Sequence, residues 1–213
     1  MQPRPSTPPT IAAGSLGAHP QPVLAAPGAL VLRPWEPSDA AAFFGAYRDP
    51  VIRQWHTRRP ASEADAAEWF RRYRRDWSQE TGASWAVTRD GGEVLGRTAM
   101  GSFNLDDGVA GCSYWVLPAA RGAGVASRAL AAVSAWALGA GGFHRLHLSH
   151  STRNDASCRV AVRAGFRLEG TQRSDAVHDD GRHDMHLHAR IRADQLLPAS
   201  GEREPGAGEP LGQ

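Results

Sequence analysis

The hydrophobic pattern of the chain changes character near residue 120. Before that point, short apolar runs are cut by turn residues; after it, strand-like and helix-like periods alternate. Leu30-Val31-Leu32-Arg33-Pro34 reads as a short strand stopped by proline, and Pro37-Ser38-Asp39 opens a helix through Ala40 to Phe44, with Ser38 or Asp39 as its cap. A second helix follows the capping residue Ser62 and runs to about Trp77. Trp69, Tyr73 and Trp77 recur every four residues and share a face, while Arg71, Arg72, Arg74 and Arg75 occupy the wet side. Three strands follow, at residues 84–88, 94–103 and 110–117. They are joined by Arg89-Asp90-Gly91-Gly92, a hairpin turn by its Asp-Gly pair, and by a longer turn over residues 104–108.

Beyond residue 120 the pattern gives a helix over 122–139 with Leu130, Val133 and Ala137 on one face, a strand at 144–149, a helix at 154–164 and a strand at 166–171. In a last strand, Met185, Leu187, Ala189 and Ile191 point inward, and Asp184, His186, His188 and Arg190 point outward. An antiparallel meander followed by β-α-β-α-β predicts an α/β (α+β) domain: a mixed, mostly antiparallel central sheet with helices on both faces.

Composition limits this domain at both ends. Residues 1–28 and 199–213 are rich in Pro, Ala, Gly and Ser or Glu without an apolar period, so disordered tails are expected there and a folded domain over 29–198. Hydrophobic residues make up 41% and charged residues 22% of the 213-residue chain, values of an ordinary globular protein. No apolar run approaches a membrane span, and the proline-rich start does not resemble a secretion signal, so a cytoplasmic protein with no membrane partner is expected. A net charge of +2 is too balanced for a dedicated nucleic-acid binder. Cys112 and Cys158 are far apart and suggest small buried residues, not a disulfide or a zinc knuckle.

The stretch with the clearest chemistry is Tyr114-Trp115-Val116-Leu117-Pro118-Ala119-Ala120-Arg121-Gly122-Ala123-Gly124-Val125-Ala126-Ser127. It reads as a strand ending at proline, a small-residue turn, then a helix. Such a connection leaves backbone N–H groups unpaired at the helix start, where a phosphate would lie, and glycine lets the main chain approach without a Cβ in the way. A cluster of His178, Asp179, Asp180, His183, Asp184, His186 and His188 invites a metal reading. Neighbours on one strand face point alike and do not converge, so the cluster is taken as the solvated side of a hairpin and no metal is expected.

Three ordered motifs carry a family resemblance. Tyr114-Trp115-Val116-x-Pro118-x-x-Arg121-Gly122-x-Gly124-x-Ala126, then His144-Arg145-Leu146-His147, then Asn154-x-x-Ser157-x-Arg159-x-Ala161-x-x-Ala164-Gly165-Phe166-x-x-Glu169-Gly170 resemble the GCN5-related N-acetyltransferase (GNAT) superfamily, and within it the RimJ/RimL-like group, over about residues 30–192. The resemblance implies a sheet splayed between its fourth and fifth strands, 110–117 and 144–149. It also implies acetyl-CoA as cosubstrate, and a direct attack by a primary amine. The donor would be held by Trp115, Val116, Leu117, Arg121, Gly122, Ala123, Gly124, Val125, Ala126, Ser127, Asn154 and Arg159, with the N–H of Val116 or Leu117 polarising the thioester carbonyl. Asn154 also suits a plain helix cap.

The same resemblance implies Ser157 as the general acid toward the departing thiolate, although a hydroxyl at this helix position also suits a plain local hydrogen bond; many acetyltransferases use a tyrosine in this helix, and here the helix contains none. The glutamate expected as general base falls on Ala176, a departure, and Asp175 or His178 could stand in, or an ordered water chain could serve. Trp55, His56, Trp69 and Trp85 are candidates for an acceptor wall, and Asp106, Asp107, Glu63 and Asp65 for an acidic rim. A protein N-terminal α-amino group is the acceptor that the resemblance favours. A small amine such as an antibiotic or amino sugar, or a non-catalytic acyl-CoA-binding regulatory role, are the alternatives, and family analogy allows a homodimer.

Overall fold

The computed structural model describes residues 7–195. The expected C-terminal tail lies outside these residues. Eight strands, β1 (Leu24–Ala26), β2 (Leu30–Pro34), β3 (Gly82–Arg89), β4 (Val94–Asn104), β5 (Val109–Val116), β6 (Arg145–Ser151), β7 (Arg167–His178) and β8 (Gly181–Ile191), form one sheet in the order β1-β2-β3-β4-β5-β6-β8-β7. Every neighbouring pair is antiparallel except β5 and β6.

That parallel pair is short. Val109, Ala110 and Gly111 face Arg145, Leu146 and His147, after which the two strands part. The splay therefore falls between the predicted strands 110–117 and 144–149, which become β5 and β6 because β1 precedes the strands read from the pattern.

Alternation along β3 separates two cores. Trp85 and Val87 join one apolar cluster and Ala86 the other. The first cluster is built with α4 (Val125–Leu138) and α5 (Asp155–Arg163), the second with α1 (Ala40–Ala46), α2 (Pro50–Trp55) and α3 (Glu63–Ser78). Leu130, Val133 and Ala137 are fully buried on the inner face of α4, and Ser62 caps α3 by accepting from the Asp65 amide at 3.1 Å.

Several local expectations change. Residues 1–28 are not a loose tail throughout: from residue 10 the chain lies against the sheet. Ile11 and Leu16 are buried. The Glu80 carboxylate accepts from the amides of Gly14 and Leu16 at 2.6 Å and of Gly17 at 3.0 Å, and Trp77 and Trp85 donate to the carbonyls of His19 and Pro22. Proline and small residues hide this segment from periodicity because it is held by its own main-chain groups, answered by side chains from elsewhere in the chain. Helix α2 escapes the pattern reading, although Asp49-Pro50 is a start signal: Asp49 Oδ1 accepts from the Ile52 amide at 2.9 Å. Asp39 makes no side-chain cap to α1; it is gripped by both Arg33 nitrogens at 2.7 and 2.9 Å. On β8, His188 is fully buried and His186 half-buried, not outward, because α5 covers that side.

Candidate active site

The parting of β5 and β6 opens a cavity of about 430 Å³ whose walls come from both strands, the turn into α4, the start of α5, and α2. Antiparallel pairing with β4 decides which amides of β5 remain available to it. The Leu117 amide donates to Leu95 at 2.9 Å, so by alternation the Val116 N–H turns to the open edge. Leu117 does not line the cavity and packs instead against the second core. Trp115 borders the cavity, while its ring packs at a tilt against Trp35 and Phe43 in the second core.

The turn into α4 adopts the conformation its glycines allow. Gly122 has φ of 77° and Gly124, the residue before the helix, 71°, a left-handed geometry that L side chains resist. The first helical bond runs from Arg128 N–H to the Gly124 carbonyl, and the amides of residues 122–127 have no backbone acceptor among the described residues. Gly122, Gly124, Val125, Ala126 and Ser127 all line the cavity, as do Arg159 and Arg163 from α5, one helical turn apart. Six neighbouring donors, a helix N-terminus and two guanidinium groups make an anion-binding mouth. Ala123 is set back from the lining, its carbonyl accepting from Arg128 at 2.8 Å. The Arg121 guanidinium is tied to Asp49 at 2.5 Å and holds that carboxyl below the usual carboxylate range, so Arg121 joins the turn to α2.

At the inner end, Asn154 caps α5 by accepting from the Ser157 amide at 3.0 Å. The Ser157 hydroxyl meets the Tyr114 hydroxyl at 2.7 Å, and Tyr114 also donates to the Ser157 carbonyl at 3.1 Å. Burial pushes the Tyr114 phenol up to about 12, so it stays protonated at neutral pH. Tyr114 is the site residue that helix-by-helix reading misses. It belongs to the strand, and only the packing of α5 over β5 brings the two hydroxyls together. Cys112 also borders the cavity, but burial pushes its thiol up to about 12, which leaves no thiolate for nucleophilic attack.

The two candidate bases separate. β7 extends through residue 178 with an irregular register between Gln172 and Ala176, which leaves Asp175 exposed and outside the cavity lining and turns His178 inward. His178 Nδ1 lies 3.2 Å from the Gln54 carbonyl and donates to it, leaving Nε2 buried and without a partner among the described residues. Its ring packs 4.4 Å from that of His183, which bonds Ser151 at 2.8 Å.

A second, polar groove of about 1010 Å³ lies across α2 and shares Trp55 and His56 with the first cavity. His56 Nε2 donates to the Tyr114 carbonyl at 3.1 Å, and burial, helped by the charge of Arg97, pulls the ring down to about 4. Trp69 lines this groove with Arg72 across its ring at 4.9 Å. Trp85 does not: it is fully buried in the first core. Of the expected acidic rim only Asp65 lies here. Asp106 and Asp107 sit in the β4–β5 turn, where Thr10 and Asn104 bond to them. Arg58, Arg59, Arg72 and Arg97 outnumber Asp65 and Asp76 along the groove.

Known proteins repeat this architecture. A family model described as an acetyltransferase (GNAT) domain matches residues 29–167. The uncharacterized N-acetyltransferase YoaA of Bacillus subtilis (strain 168) is 24% identical over 165 residues, 76% of this chain and 93% of that protein. Among solved structures, RimL, a ribosomal L7/L12 alpha-N-protein acetyltransferase in complex with coenzyme A, is similar at a TM-score of 0.74 and 19% identity, over 80% of this chain and 98% of its own. Mycobacterium smegmatis RimJ in complex with CoA-disulfide is similar at 0.73 and 24% identity, over 84% of this chain and 89% of its own.

Proposed function

Because the chain belongs to the acetyltransferase (GNAT) family and is therefore an acyltransferase, we propose that it moves the acetyl group of acetyl-CoA directly to a primary amine, with a protein N-terminal α-amino group as the acceptor. The observation that carries this reading is the meeting of two cavities at Trp55 and His56. One offers amides suited to an anion and a hydroxyl pair, and the other is an open polar groove of about 1010 Å³, room for a polypeptide end.

Acetyl-CoA brings a thioester and a diphosphate. The amides of residues 122–127 suit the diphosphate, Arg159 and Arg163 add positive charge at the same mouth, and the edge N–H of Val116 suits the thioester carbonyl, where it would stabilise developing negative charge. Ser157 gives its proton to the leaving thiolate as Tyr114 turns its single proton from the Ser157 carbonyl to the Ser157 hydroxyl oxygen, which is reprotonated from solvent before the next cycle. An α-ammonium must lose a proton before its nitrogen can attack; in the neutral His178 ring the Nδ1–H donates to Gln54 and the lone pair lies on Nε2, which is the acceptor for that proton. The arginine excess of the groove favours an acceptor with acidic residues near its amine. A cytoplasmic location belongs to the same proposal.

Purified protein offered acetyl-CoA with short peptides, either free or blocked at the α-amine, and with amino sugars tests the assignment. Thiol release that needs the free α-amine supports it. Release only with the small amines would reassign the acceptor.

A further inference from the structure

On the side of the sheet covered by α5, three histidines and a cysteine from three elements converge. Register sets His150 of β6 directly opposite His186 of β8. His188 lies two residues along β8 on the same face, and its Nε2 is 3.8 Å from the sulfur of Cys158 on α5. One potential ligand atom from each of the four lies within 4.8 Å of every other. Strand alternation alone would leave these side chains parallel; the helix closing over them supplies the fourth direction.

The hydrogen bonding of the rings points the same way. His150 is 5% exposed and His188 fully buried. His150 Nδ1 donates to the Ser151 carbonyl at 2.8 Å, which leaves the lone pair of the neutral ring on Nε2, and that atom is buried with no partner among the described residues. A ring nitrogen fixed by a backbone carbonyl while the other faces a ligand is the usual arrangement of a metal-binding histidine. His186 Nδ1 is likewise buried and unpartnered. Packed histidines with no further purpose would leave these atoms desolvated without compensation.

We propose that His150, Cys158, His186 and His188 form a tetrahedral site for a late first-row divalent cation, zinc above all. Three imidazoles and one thiolate match the donor preference of such ions. With metal–nitrogen bonds of about 2.0–2.1 Å and a metal–sulfur bond of about 2.3 Å, tetrahedral ligands stand about 3.3–3.8 Å apart, so the set needs to contract by only about 1 Å. Four protein ligands leave no open position, which makes the site structural: it pins the first turn of α5, beside Ser157, to β6 and β8.

The test uses full-length untagged protein, stripped by chelator and titrated with zinc by calorimetry and with cobalt by absorption. Expected are one ion per chain and, with cobalt, a thiolate charge-transfer band. Cys158→Ser removes that band, and Cys158→Ser and the milder His186→Asn each weaken zinc binding by about 100-fold or more. Circular dichroism verifies folding, and His186→Asn decides the matter if Cys158→Ser does not fold. Absence of stoichiometric binding, or binding that survives in a folded variant because the ion sits on other histidines such as His178 and His183, overturns the proposal.

Discussion

The phenol of Tyr114 and the hydroxyl of Ser157 lie 2.7 Å apart although 43 residues separate them in sequence. The pair bridges the strand that carries the open-edge amide and the helix capped by Asn154. If Ser157 supplies the proton for the leaving thiolate, Tyr114 sets its direction and stabilises the oxygen left behind. Ser157→Ala is expected to lower kcat by about 100-fold or more. Tyr114→Phe should lower it by about 10-fold and cost about 1 kcal/mol of stability through the lost hydrogen bond. The double variant should be no worse than Ser157→Ala alone, because the two act as a unit. Steady-state kinetics and denaturant unfolding of the three variants check this.

The turn into α4 gives a prediction about the donor. A Cβ on Gly124 would meet nothing nearer than 3.8 Å within the protein, and φ there is 71°. Asparagine tolerates this conformation and should leave the fold and acetyl-CoA affinity nearly intact. Glutamate should retain the fold but place a carboxylate in the anion mouth, weakening acetyl-CoA binding by about 100-fold by displacement and repulsion. Calorimetric titration of both variants separates conformation from charge.

Acidification should destabilise the protein through His56. Its folded pKa of about 4 lies below the ordinary 6.5, so between these values the unfolded chain binds more protons than the folded one and stability rises with pH. The contribution is complete above pH 6.5 and is lost as pH falls through 4, amounting to roughly 3 kcal/mol by that point. Unfolding measured from pH 7 to pH 4 should show a shallower decline in His56→Gln than in the parent chain, and an equal decline would remove His56 from the account.

The N-terminal segment should depend on Glu80. Its carboxylate answers three amides of residues 14–17, so Glu80→Ala is expected to cost about 1–3 kcal/mol and to speed amide exchange over residues 10–20. Hydrogen exchange checks both.

These cases show why some of the molecule was legible in the sequence and some was not. The meander, the strand-to-helix turn and the capped start of α5 were readable because their signals are local: alternation, an Asp-Gly pair, glycines before an Ala/Leu helix, and an asparagine cap. The packed course of residues 10–28 was not, since its hydrogen-bond partners, Glu80, Trp77 and Trp85, lie more than fifty residues away. The role of Tyr114 was missed, and the histidine cluster was set aside as a solvated hairpin side, for a related reason. Periodicity assigns Tyr114 to a strand and His186 and His188 to an outer face, and only α5 crossing over the sheet turns the first into the partner of Ser157 and the others into a buried group. Between Asp175 and His178 the choice rests on the register irregularity before Ala176, which a residue count along the chain cannot contain.

The most direct measurement is single-turnover transfer from acetyl-CoA to a peptide bearing a free α-amine and acidic residues beside it, following thiol release and mapping the product by mass spectrometry. The account expects one thiol released per acetyl group gained, the label on the α-nitrogen, faster turnover than for a basic peptide of equal length, and loss of the reaction in His178→Ala as well as Ser157→Ala. Tight acetyl-CoA binding without thiol release for any amine would contradict it.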